Sequence, residues 1–275
     1  MSEGCVSGKE PVLTADSITK SFAGAGSTAP RSSPLKVLEK FSLTIHRGEC
    51  VTLVGPSGCG KSTLLRLLGG FLAPDSGRVI FRGKAVNRPD PERVMMFQEF
   101  DQLFPWKSVA QNVEFPLKTG RSSRRLGVPT HGENTAERKR RVEHILAEVG
   151  LSGYEDYYPH QLSGGMKQRT ALARTLLGQP ELVLMDEPFG SVDARKREEL
   201  QALLLSLQRK HDFTVVFVTH DIQEAVYLAD RVLVMEAVGM PVKETVIVDV
   251  ERPRNRQDKR LEEYSRRISA LLDTR

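Results

Sequence analysis

The stretch Gly55-Pro56-Ser57-Gly58-Cys59-Gly60-Lys61-Ser62-Thr63 decides how this chain is read. It follows the apolar run Glu49–Val54 and leads into Leu64-Leu65-Arg66-Leu67-Leu68, so a glycine-rich turn joins a buried strand to a helix. The spacing is G-x-x-x-x-G-K-[ST]. Glycines let the backbone curl until successive N–H groups point inward on phosphate oxygens, and the helix behind them offers its positive end. Lys61 is then placed to neutralise the β and γ phosphates, and the Ser62 hydroxyl to ligate Mg²⁺.

Working outward, four short β-rich runs (Glu49–Val54, Arg93–Phe97, Leu182–Met185 and Phe213–Thr219) read as buried strands. Helical patterns lie between and after them at Lys61–Gly69, Arg138–Val149, Met166–Leu177, Arg195–Lys210 and Ile222–Ala229. Strand alternating with helix predicts an α/β fold with a mainly parallel central sheet. The interval Ala23–Ile45 opens on AGAGSTAPRSSP and reads as a surface loop; Arg121–Thr135 reads as a second. Pro241 and Pro253 bracket a strand-like stretch, and an amphipathic helix is expected over Leu261–Leu272. The run Leu182-Val183-Leu184-Met185 ends in Asp186-Glu187, and such a strand delivers its acids to the carboxyl edge of the sheet, where ligands of α/β folds collect. There Asp186 would hold Mg²⁺ through water, and Glu187 would orient or deprotonate an attacking water.

Composition narrows the class. The 275 residues hold 40 Lys and Arg against 35 Asp and Glu, with 39% hydrophobic residues, enough to bury the core of one or two globular domains. No uncharged apolar run approaches the ~18 residues of a membrane span, and the N-terminus lacks the basic-then-apolar pattern of a signal peptide. A cytosolic chain, held at a membrane only by a partner, is expected. Cys5, Cys50 and Cys59 have no paired metal-ligand spacing, which fits a reducing compartment and opposes a zinc site. Between Lys118 and Arg141 lie eight basic and two acidic residues, and the rest of the chain is close to balanced. A basic stripe for nucleic acid is not indicated; the cluster reads as a solvated loop or as a contact with anionic lipid.

Between the glycine-rich turn and the carboxylates, Leu162-Ser163-Gly164-Gly165-Met166-Lys167-Gln168-Arg169 opens a helix, and Ser163 with the glycine N–H groups makes a second anion site. Here the chain resembles an ATP-binding-cassette (ABC) ATPase, with Met166 where the commonest LSGGQ signature has glutamine. The resemblance extends over about residues 11–235. It implies a P-loop NTPase fold: a RecA-like core, an antiparallel β part near the N-terminus and a helical subdomain over about residues 99–165. Residues 1–10 would be a flexible N-terminus and 236–275 a C-terminal extension. ATP and Mg²⁺ are the implied cofactors, with the phosphates on Gly55–Thr63.

The resemblance also implies roles for Gln98 at the Q-loop, on Mg²⁺ and the attacking water, and for His220 as the switch histidine on the γ-phosphate. Asp193 matches the D-loop aspartate, with Ser191-Val192 before it in place of Ala-Leu, and Phe22 matches the aromatic that stacks on adenine, often a tyrosine. Two copies would pair head to tail, Ser163, Gly164 and Gly165 of each binding the nucleotide held by the other.

One set of motifs and no fused membrane segment select an importer subunit within the family. The apolar run Phe100–Trp106 reads equally as local core or as a docking surface. In the family this region receives a coupling helix of the permease. Leu103-Phe104-Pro105-Trp106, Asp186-Glu187-Pro188-Phe189-Gly190 and the tail Glu251–Arg256 resemble the group that imports nitrate, sulfonate, taurine or bicarbonate. That group works with a membrane permease and a substrate-binding protein, which places the chain on the cytoplasmic face of the membrane. Importers of thiamine precursors or aromatic compounds, or a soluble ABC ATPase, are the alternatives; no nucleic-acid partner is expected.

Overall fold

A computed structural model of the chain describes residues 10–22, 35–97, 102–118, 134–236 and 242–273. In chain order the described residues form β1 (Pro11–Phe22), β2 (Leu35–His46), β3 (Cys50–Val54), α1 (Lys61–Gly69), β4 (Ser76–Phe81), β5 (Lys84–Ala85), β6 (Arg93–Met96), α2 (Val109–Lys118), α3 (Thr135–Glu148), α4 (Gly164–Leu177), β7 (Leu182–Asp186), α5 (Ala194–His211), β8 (Thr214–Val218), α6 (Ile222–Leu228), β9 (Arg231–Met235), β10 (Val242–Ile247) and α7 (Lys259–Asp273). They fall into two compact units, Met1–Arg88 with His220–Arg275, and Pro89–Thr219.

In the first unit an antiparallel sheet runs in the order β2-β1-β4-β5. Its strand β2 corrects the expectation of a surface loop over Ala23–Ile45: from Leu35 onward the chain is strand, and residues 23–34 lie outside the described residues. Phe41, Leu43 and Ile45 alternate inward at the two-residue period of a half-buried strand, and the small residues ahead of them masked that period. β1 lies along the whole of β2, from Pro11 opposite His46 to Phe22 opposite Leu35. A second set of strands runs β10-β9-β3, with β9 parallel to β3 and antiparallel to β10. All five residues of β3 are buried, as in a strand covered on both faces. Val54 at its end packs with Ala225 and Val226 of α6, Val232 and Val234 of β9, Val246 of β10, and Leu261 and Ile268 of α7. The C-terminal strand and helix therefore share one core with the strand that enters the glycine-rich turn.

In the second unit β6, β7 and β8 are parallel neighbours in the order β8-β7-β6. Every residue of β7 and β8 is buried. Four helices accompany them, α4 packing on α2, α3 and α5. Asn134 caps α3 by accepting from the Glu137 N–H at 2.8 Å. The buried Asn112 of α2 accepts from the Phe104 N–H at 2.8 Å and donates to the Phe104 and Lys107 carbonyls at 3.1 and 3.0 Å, fixing the loop that precedes it.

Candidate nucleotide site

The glycine-rich turn sits in the first unit between β3 and α1. Gly55 passes hard against the end of β9: a Cβ there would lie 2.7 Å from the Met235 carbonyl oxygen and 3.0 Å from Cys59 Sγ. Gly60 turns the chain into α1 at φ 104°, and a Cβ on it would meet Val37 Cγ1 at 2.8 Å. Only glycine satisfies both the left-handed backbone and the contact with β2. The Lys61 ammonium folds back over the turn, donating to the Gly55 and Pro56 carbonyls at 2.8 and 2.9 Å, and the residue is 8% exposed. Gly60 gives α1 no side-chain cap and no acid stands in its first turn, so α1 carries no anionic group of its own at its positive end. That end, the lysine and the exposed Ser62 make a cradle that suits a polyphosphate with its hard cation.

Strand β2 brings Phe22 toward the same turn. Its Val37 and Leu38 lie against Gly60, and its first residue, Leu35, pairs with Phe22. Phe22 is 41% exposed, with Lys20 Nζ 5.8 Å from its ring centroid. Asp75 holds this strand end: its carboxylate accepts from Lys20 Nζ at 2.6 Å and from the Ser21 N–H at 2.7 Å. These bonds keep the Asp75 carboxyl below the usual carboxylate range. Asp75 and Lys20 were not legible as partners in the sequence, because 55 residues separate them and no motif contains both.

The second unit carries the carboxylates. β7 ends in Asp186, which is 9% exposed. Glu187 follows at φ 45°, a left-handed conformation that a non-glycine residue adopts at a cost of roughly 1–3 kcal/mol. Its backbone is held there from two sides: the Glu187 N–H donates to the Val218 carbonyl at 3.0 Å, and the Gly190 N–H donates to the Glu187 carbonyl at 3.1 Å. The strained residue stands immediately past the end of β7.

Ser163 caps α4, its hydroxyl accepting from the Met166 N–H at 3.4 Å. Asp193 caps α5, accepting from the Lys196 N–H at 3.0 Å and pairing with Lys196 Nζ at 3.0 Å, and these contacts lower its carboxyl pKa. Lys196 also covers Gly165, whose missing Cβ would lie 3.5 Å from Lys196 Cδ. The segment Ser163–Gly165 and Asp193 are thus brought together through one lysine, which sequence reasoning did not select. A lysine at the third helical position has no signature of its own.

A sequence profile of the family described as ABC transporter matches residues 38–190, which include the glycine-rich turn, Ser163–Gly165 and both carboxylates. The chain belongs to the ABC transporter family. It is 43% identical over 260 residues to an uncharacterized ABC transporter ATP-binding protein of Methanocaldococcus jannaschii, covering 94% of this chain and 91% of that protein. It is 40% identical over 238 residues to the nitrate import ATP-binding protein NrtD of Synechococcus elongatus, covering 86% and 83%. The dimeric post-hydrolysis structure of the ATP-binding cassette MJ0796 bound to ADP and Pi matches with a TM-score of 0.70 and 28% identity, covering 87% of this chain and all of that one. The chain is therefore an ABC ATPase with the P-loop NTPase fold.

Two further positions are expected from the sequence to act in this ABC ATPase. His220 is exposed and directly precedes Asp221, the N-cap of α6. Gln98 lies outside the described residues. Of the run that read equally as core or docking surface, Phe100 and Asp101 lie outside the described residues, Leu103 is 4% exposed and Trp106 70%. Phe104 packs on Trp106, Phe115 and the guanidinium of Arg174. Tyr154, Tyr157 and Tyr158 add exposed rings to the same unit.

Proposed function

We propose that this ABC ATPase is the nucleotide-binding subunit of an importer of a small anion or related nutrient, such as nitrate, sulfonate, taurine or bicarbonate. The observation that supports the reading is the likeness to a nitrate import ATP-binding protein over 86% of the chain. In the first unit Phe22 would stack on adenine, Lys61 and the amides of Gly55–Thr63 would hold the phosphates, and Ser62 would ligate Mg²⁺. In the second, Asp186 would help hold Mg²⁺, which would polarise the phosphate, and Glu187 would direct the attacking water at the γ-phosphorus. His220 and Gln98 contact the γ-phosphate and the water. Ser163, Gly164 and Gly165 serve the nucleotide held by a second copy, with Asp193 as the D-loop aspartate, so that donors aimed at the developing charge are complete only in the closed pair.

A permease is the proposed partner of the exposed rings around Trp106, since exposed aromatic groups of this kind mark docking surfaces. A substrate-binding protein would select the cargo on the far side of the membrane, with this chain on the cytoplasmic face. No helix among the described residues is long and apolar enough to cross a membrane, so attachment through a permease supplies the membrane link. The test is to trap Glu187→Gln with ATP in native membranes, solubilise gently and identify what copurifies. A hydrophobic permease with an anion-binding protein is expected. Recovery of only soluble proteins or nucleic acid would leave the ATPase intact and remove the importer; a permease with a cationic or aromatic cargo protein would remove the anion.

A further inference from the structure

Helix α6 begins two residues after His220 and has seven residues, too few to be stable alone. Its N-terminal end is closed by Asp221, which accepts from the Gln223 and Glu224 N–H groups at 2.9 and 3.1 Å. Its C-terminal end is closed by the tail. Arg254 Nη1 donates to the carbonyls of Val226, Tyr227 and Ala229 at 2.9, 3.0 and 2.6 Å. Arg252 Nη2 donates to the Leu228 carbonyl. The consecutive carbonyls of Val226 to Ala229, which an isolated helix end leaves without intrahelical partners, are thus all taken up by two guanidiniums. Arg256 adds its guanidinium 3.7 Å from the Tyr227 ring centroid.

Arg254 is tied to its own segment as firmly, with Nε donating to the Val250 carbonyl and Nη2 to the Val248 carbonyl, each at 3.0 Å. It is 7% exposed, and these five bonds all go to backbone carbonyls. Burial pulls its pKa down to about 10, so it stays charged at neutral pH. A buried cation is costly in general, and here the negative end of a helix offsets that cost. Filling a buried space would not require a cation, whereas taking up the carbonyls at the end of a short helix calls for several donors on one side chain. A seven-residue helix is roughly 10 Å long, so a tilt of about 10° at one end moves the other by roughly 2 Å. Displacements of about 1 Å at a reacting centre already cost on the order of a hundredfold in rate.

We infer that Arg254, seconded by Arg252, is a positioning residue for ATP hydrolysis: it closes α6 from its C-terminal end and so sets where His220 stands. The C-terminal extension then acts on the reaction without touching the nucleotide. This rests on the proposed role of His220, and the test separates the two. Steady-state Mg·ATP hydrolysis is measured on the full chain for the parent, Arg254→Lys, His220→Ala and the double variant, each rate corrected for folded fraction by circular dichroism. Arg254→Lys should lower kcat about fivefold or more, with KM for ATP within about twofold of the parent. The double variant should be no slower than His220→Ala alone.

An unchanged kcat per folded molecule, or losses that multiply in the double variant, would overturn the inference, since a merely structural arginine would not be coupled to His220. A His220→Ala protein that hydrolyses at the parental rate would instead remove the role of His220 and the inference with it. If Arg254→Lys does not fold, the same cycle is run with Arg252→Lys, which touches only the Leu228 carbonyl of the helix end, and the same outcomes decide.

Discussion

Gly60 concentrates two demands in one residue, a backbone at φ 104° and a missing Cβ that would lie 2.8 Å from Val37 Cγ1. Gly60→Ala is therefore expected to lower stability by about 1–3 kcal/mol and to weaken ATP binding. Urea unfolding and titration with a fluorescent ATP analogue would check this; a parental unfolding midpoint would contradict it. Gly58 is also left-handed, at φ 80°, but has open space where its Cβ would point, so its substitution should cost backbone strain alone. Glu187 is the opposite case, a side chain kept in a conformation that glycine prefers. Its substitution by glutamine leaves the backbone demand unchanged, which makes Glu187→Gln a clean probe of the carboxylate.

At the scale of elements, α3 and α5 are tied at their ends by Glu148. Its carboxylate lies 2.8 Å from Lys210 Nζ, 2.6 Å from His211 Nε2 and 2.7 Å from His144 Nε2, and its side chain is 8% exposed. Burial pushes the carboxyl up, but the hydrogen bonds from Lys210 and His211 outweigh it and hold the pKa below its ordinary 4.5. A lowered carboxyl pKa means that the unfolded chain takes up the proton first. The stabilisation is fully present above about pH 4.5 and is lost as the pH falls through the lowered value. Glu148→Gln should flatten the acid side of the stability curve, measured by urea unfolding between pH 6 and pH 3; an unchanged acid slope would mean that the tie contributes nothing.

The C-terminal helix makes a second element-scale prediction. Ile268 is 0% exposed in the core shared with Val54, so Ile268→Ala should cost about 2–5 kcal/mol. A loss below about 1 kcal/mol would mean that α7 is an appendage rather than part of that core.

At the scale of the whole molecule, the proposed reaction cycle needs two copies of the chain. Glu187→Gln should retain ATP, lose hydrolysis and elute as a dimer when ATP is present. Light scattering with and without ATP checks this, and normal turnover in that variant would sink the role given to Glu187. ATP hydrolysis by the parent should likewise rise more steeply than linearly with protein concentration.

Local features are legible in the residues alone. The spacing of Gly55, Gly60, Lys61 and Ser62 specifies a turn and its chemistry within nine residues. The apolar runs ending at Val54 and Met185 are recognisable because strands buried on both faces must be continuously apolar. The ends of β7 and β8 accordingly lie within a residue of where the sequence places them.

Contacts between distant segments emerge only on folding: Asp75 on the strand end that carries Phe22, Lys196 between Gly165 and Asp193, and Arg254 on the last carbonyls of α6. β2 was hidden for a related reason, its inward alternation becoming meaningful only once β1 lies beside it. Charged residues such as these look like ordinary surface in a sequence, because a cation that binds backbone carbonyls leaves no pattern in the residues it binds. Their roles appear only when packing brings the partners within hydrogen-bond reach.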